Sequence, residues 1–122
     1  MELEPVIEAA ILMAEPYLER QARLVREYDS VPRVYGNRAG YTRLFFNLLV
    51  HAARAVMSDG GARQTIVVKR YVRGPKVHVQ VQHPGAPIGE AALHAMLHGT
   101  GGSVTVEVTS GLSVATVALP VV

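Results

Sequence analysis

The residue types able to do chemistry in this chain are few, and histidine dominates them. There are five histidines and no cysteine, so a thiol nucleophile, a disulfide framework and a cysteine-ligated zinc are all excluded. His94 and His98 are four positions apart in "EAALHAMLHG", a spacing that sets two imidazoles on one helix face and can chelate zinc or nickel. The competing reading has His94 facing solvent and His98 capping the helix C-terminus, where a cation is favourable. Glu8, Glu15 and Glu19 fall on the polar side of a helical pattern and make no acid/base pair. No G-x-S-x-G or Ser/His/Asp signature is present. The remaining stretch of interest is "VQHPGAPIG" at 81–89, a strand end that runs through His83 into a Pro/Gly turn.

Those residues have to be positioned by one domain, since 122 residues suit a single core. "EPVIEAAILMAEPYLERQARL" has apolar residues at helical spacing and predicts a helix over 5–22, with Pro5 suited to the first turn and Pro16 expected to break it near Glu15. "RLVREYD" reads as a strand. Asn37 is an N-cap candidate for the next helix, whose apolar face is Leu44, Phe45, Leu48, Leu49, Ala52, Ala55 and Val56 and which ends at 58–61. "QTIVVKRYV" and "KVHVQVQ" form a hairpin across "RGP". In the second strand Val77, Val79 and Val81 share the core side, and His78, Gln80 and Gln82 share the wetter one. A short helix in "GEAALHAMLHG" and two strands around Gly111 complete the order α-β-α-β-β-α-β-β. The expected class is an α/β two-layer sandwich, with a mostly antiparallel mixed sheet and helices on one face.

Composition narrows the partners. The hydrophobic fraction is 49% and the mean hydropathy +0.20, high for a small domain, yet no apolar run approaches a membrane span of about 20 residues. The surplus predicts burial against another protein. The acidic start "MELEPVIEAA" is unlike a signal peptide, which gives a cytoplasmic expectation. Net charge is only +2. The densest basic stretch, "KRYVRGPK", lies on a hairpin with one aromatic, so a nucleic-acid partner is not expected.

From "VIEAAILMAEPYLERQARLVREYDSVPRVYGN" through "NLLVHAARAVM" and "VHVQVQHPGAPI" to "GGSVTVEVTSGLSVATVALP", nearly the whole chain resembles the ATP-binding catalytic domain of bacterial sensor histidine kinases, in the gyrase/Hsp90/histidine-kinase/MutL superfamily with its Bergerat-type fold. The resemblance implies a nucleotide pocket between the second helix and the turn after the third strand. In the family's N box, "NLLxNA", the second asparagine holds magnesium. This chain has "NLLVHA", with Asn47 first and His51 second, and imidazole is a poor magnesium ligand. In the family's "DxGxG" box a carboxylate receives the adenine amino group. Here His83 replaces the carboxylate, Gly85 is kept, and Pro87 replaces the second glycine, which removes an N–H and fixes φ.

The resemblance also implies an ATP lid and a second glycine-rich box before the last two strands, where this chain has only "EAALHAMLHGT". The lid is therefore expected to be absent. No helix pair carrying a phospho-accepting histidine is expected either. If the fold holds, His51 and His83 border the old pocket, with His94 and His98 on the helix beside it as the remaining candidates for a histidine-only metal site. Asn47 either survives from the N box or ties its helix to a loop.

The expectation is a pseudokinase-like, non-catalytic interaction module without cofactor, paired with a signalling or transcription protein or with a second copy as a homodimer. The alternative is a divergent histidine kinase or ATPase domain that binds ATP and magnesium through Asn47, Gly85 and the glycine run at 99–102 and acts on a partner in trans. DNA binding through the arginines of 20–73 is a third class.

Overall fold

The computed structural model describes residues 1–18, 22–58, 64–97 and 102–122. The elements are α1 (Leu3–Leu18), β1 (Ala22–Tyr28), α2 (Arg38–Ser58), β2 (Gln64–Arg73), β3 (Lys76–Pro84), α3 (Glu90–Leu97), β4 (Ser103–Thr109) and β5 (Leu112–Pro120). This is the order expected from sequence. The five strands form one sheet in the order β1-β2-β3-β5-β4. β1 runs parallel to β2, and the other neighbours are antiparallel. Parallel pairing of β1 and β2 needs a crossover, and α2 supplies it.

Alternation assigns the faces. Val77, Val79 and Val81 are buried, while His78, Gln80 and Gln82 on the opposite side are half-buried. Cross-strand register extends the buried side to Ile66 and Val68 of β2 and to Ala115, Val117 and Leu119 of β5. Onto that side pack Val6, Ile7, Ala10, Ile11 and Ala14 of α1, Leu44, Phe45, Leu48, Leu49 and Ala52 of α2, and Leu93 and Leu97 of α3. Among the described residues the result is a two-layer sandwich with α1, α2 and α3 on one face.

α1 differs from its expected bounds, beginning at Leu3, ending at Leu18 and passing through Pro16 without a break. Pro5 lies in the first turn, where its missing N–H has no intrahelical partner to lose. Pro16 removes the N–H that the Leu12 carbonyl would receive, but it lies in the last turn of the helix, and Leu18 beyond it is buried in the core. Asn37 caps α2, its Oδ1 accepting from the Gly40 N–H at 2.9 Å. Gly74, at φ 60°, closes the β2–β3 hairpin. Ser110 and Gly111, at φ 51° and 80°, close β4–β5 with the two positive φ values of a type I′ turn. No helix among the described residues is long and apolar enough to cross a membrane.

Candidate functional site

β3 delivers His83 to the core. Counting by twos from Val77, it falls on the buried face, and it is 4% exposed. α2 brings His51 to the same place, with ring centroids 5.5 Å apart and planes at 71°. Beyond β3 the chain turns through Gly85 at φ 95°, so close to α2 that a Cβ on Gly85 would lie 3.0 Å from the Ala55 carbonyl oxygen. Glycine is required there for both its conformation and its size.

Three side chains hold this turn through three consecutive carbonyls. His83 Nδ1–H donates to the Pro84 oxygen at 2.7 Å. Ser113 Oγ, on the buried face of β5, donates to the Gly85 oxygen at 2.6 Å. His51 Nε2–H donates to the Ala86 oxygen at 2.9 Å. A carbonyl can only accept, which assigns the proton-bearing nitrogen of each imidazole. Ser113 was not among the sequence candidates, although a serine in phase with Ala115, Val117 and Leu119 marks a polar group on a core face.

Between these groups the space is closed. Leu48, Val81, Ile88, Val106 and Ala115, with the two histidines, Pro87 and Ser113, leave a cavity of about 10 Å³, room for at most one water molecule. Asn47 is half-buried on α2, one turn before His51. His94 is exposed on α3, because Leu93 and Leu97 take the inward positions. His98 and residues 99–101 of the glycine run lie outside the described residues. Among the described residues no three His, Asp or Glu side chains gather closely enough to hold a metal ion.

The larger clefts are elsewhere. One of about 450 Å³ lies at the far end of the sheet, lined by Lys69, Arg70 and Arg73 but also by Glu27 and Asp29. Its aromatic, Tyr71, is stacked on His78 with centroids 5.2 Å apart, and its hydroxyl accepts from Gln80. This is the "KRYVRGPK" hairpin. Its charges are mixed and its ring is engaged within the sheet.

Burial holds the His83 pKa below the ordinary 6.5, the Pro84 hydrogen bond opposes that shift, and nearby His51 adds to it. His83 is neutral at pH 7. The folded state thus resists a proton that the unfolded chain accepts below about 6.5, so stability falls as pH is lowered through that window. His78 shifts the same way, through burial and the neighbouring Arg73 and Lys76. The melting temperature is expected to drop between about pH 7.5 and about pH 5.5, with a shallower drop in His83→Asn, where the buried imidazole is gone. An equal slope in the variant would remove His83 as the cause.

The comparisons with known proteins agree with this architecture. No family model matches the chain. The sensory histidine kinase/phosphatase NtrB of Azospirillum brasilense is 33% identical over 96 residues, which are 78% of this chain and 22% of that protein. The chain thus spans about a fifth of the length of that relative. Among solved structures, Acinetobacter baumannii histidine kinase AdeS superposes with a TM-score of 0.76 at 19% identity, over 98% of this chain and 65% of the other. Histidine kinase ThkA, in complex with the response regulator TrrA, superposes with a TM-score of 0.77 at 20% identity, over 100% and 41%. The sequence relationship to a sensory kinase and the shared sandwich together make this chain a member of the histidine-kinase-like ATPase family.

Proposed function

We propose that this chain is a histidine-kinase-type ATP-binding fold that has lost its nucleotide and works as a regulatory module by binding another protein. The observation that carries the reading is the closed turn after β3. Ligand pockets of small-molecule size measure roughly 300–1,000 Å³, against the cavity of about 10 Å³ between His51 and His83. The groups that border it already serve the protein itself, since His83, Ser113 and His51 each satisfy one carbonyl of the turn.

Magnesium–ATP, which the family would hold here, does not fit these residues. An adenine amino group is a donor and needs an acceptor at position 83, where the family has a carboxylate. His83, with its Nδ1–H given to Pro84, offers only the single lone pair of its other ring nitrogen, in a position 4% exposed. The magnesium position of the N box is His51, a nitrogen ligand ill-suited to that ion, and its Nε2–H is engaged with Ala86. A protein partner is supported by the high apolar fraction and by ThkA, which assembles with a response regulator. A signalling protein of the two-component type is the class of partner this reading favours, with a cytoplasmic setting.

Isothermal titration with ATP or ADP plus Mg²⁺ tests the reading. No heat of binding is expected up to millimolar nucleotide. Binding in the low-micromolar range or tighter would overturn it and favour the other reading, a divergent kinase domain using Asn47, Gly85 and the 99–102 run and acting on a partner in trans.

A further inference from the structure

α1 is apolar on two sides. One side, Leu3, Val6, Ile7, Ala10, Ile11, Ala14 and Leu18, is the core face. On the other, Leu12, Met13 and Tyr17 are 67%, 52% and 44% exposed, with Ala9 and Pro16 exposed between them. Positions 9, 12, 13, 16 and 17 share one helical face, and Tyr17 meets Phe46 of α2 edge-on at 6.1 Å, which carries the strip across to the second helix. A helix apolar on both sides is ordinarily covered on both.

Charge defines what covers this one. α1 carries Glu4, Glu8 and Glu15 and no basic residue. α2 carries Arg38, Arg43 and Arg54 and no acidic one. The acids lie along the edge of α1 nearer β1, where Glu8 reaches Arg26 at 3.1 Å. Arg43 and Arg54 are exposed beyond Phe46 and Val50, along one line of α2. The ion pairs among the described residues are Glu8–Arg26 and Glu2–Arg33, so the acidic and basic edges are not paired with each other within the chain.

We propose that this strip joins two copies of the chain in a two-fold dimer with its axis running along α1. In an isologous interface each patch meets its own rotated image. An axis along the strip places the acidic edge of one protomer on the basic edge of its partner, at both edges at once. An axis across the strip would set acid on acid, so the two α1 helices pack parallel. The second copy is the occupant that supplies apolar strip, acidic edge and basic edge in matching order. This inference names the partner in the protein-binding reading above and rests on it.

Sedimentation equilibrium of the full chain tests it. The expected mass is twice 13.2 kDa at micromolar concentration. Leu12→Gln with Met13→Gln, uncharged and helix-compatible, is expected to give a monomer with unchanged circular dichroism and melting temperature at equal concentration below the dissociation constant. Arg43→Glu with Arg54→Glu is expected to weaken the dimer roughly tenfold or more, and adding Glu4→Arg with Glu15→Arg is expected to restore it. A wild-type monomer throughout, a dimer indifferent to the glutamine pair, or no recovery in the fourfold charge reversal would each overturn the proposal. Nucleotide titration on the same samples is independent: a monomer that ignores ATP overturns only the dimer, and a dimer that binds ATP overturns only the loss of nucleotide.

Discussion

Replacing His83 with aspartate, the residue type that the kinase family uses at this position, is expected to lower stability by about 3 kcal/mol at pH 7 and to leave ATP binding undetectable. The substitution removes the N–H that serves the Pro84 carbonyl at 2.7 Å and puts a carboxylate in a position 4% exposed. An unsatisfied buried carbonyl alone costs about 1–3 kcal/mol, and a buried charge adds to that unless it is neutralised. Burial raises the pKa of the introduced carboxylate, and only its protonated form can donate to Pro84. The folded variant then holds a proton that the unfolded chain releases near about pH 4, so its stability falls as pH rises. That is opposite in sign to the wild type, which loses stability as pH falls below about 6.5. Melting curves across this range read the inversion directly, and a variant with wild-type slope would refute the donor role. His83→Asn keeps a donor and is expected to cost nearer 1 kcal/mol. Nucleotide binding is not expected in either variant, because Ser113 and His51 still hold the Gly85 and Ala86 carbonyls.

The layers of this molecule were legible because two periods are clean in the sequence. Alternation in "KVHVQVQ" placed Val77, Val79 and Val81 on the core, and the helical spacing of Leu44, Phe45, Leu48 and Leu49 placed α2 over them. The course of α1 past Pro16 was not legible, since local pattern assigns proline a break, whereas the chain goes on to bury Leu18 in the core, a tertiary fact. At the site, the meeting of His51 and His83 followed from family resemblance, but their task did not. It arises because α2 comes within contact distance of the turn at Gly85, close enough for a helix side chain to reach a carbonyl of the next segment. The parity that carries His83 inward was readable, as was the serine at 113 in a row of core residues. The orientation of α3 was readable too: Leu93 and Leu97 compete with His94 for the inward face, and burial of leucine wins by about 2 kcal/mol per side chain.

The glycine run at 99–102 has a steric explanation at its last member, and that explanation gives the second large effect. Tyr41 of α2 is fully buried, and its ring and hydroxyl occupy space left by Gly36 and Gly102, where a Cβ on either glycine would overlap it. Its hydroxyl has no hydrogen-bond partner among the described residues. Gly102→Ala is therefore expected to destabilise by about 3 kcal/mol through overpacking. The overlap is with the hydroxyl; the next neighbours of that Cβ are the Ala118 carbonyl oxygen at 3.2 Å and Tyr41 Cζ at 3.4 Å. Tyr41→Phe deletes the colliding atom along with an unsatisfied polar group, so alone it is expected to be neutral or mildly stabilising. In its background Gly102→Ala should cost only about 1 kcal/mol, the residual crowding against Ala118. The coupling of about 2 kcal/mol, read from a double-mutant cycle by urea denaturation, is the signature of a direct clash. Additive effects would mean that Gly102 is needed for something other than Tyr41, and the glycine run would again be open to a ligand-binding role.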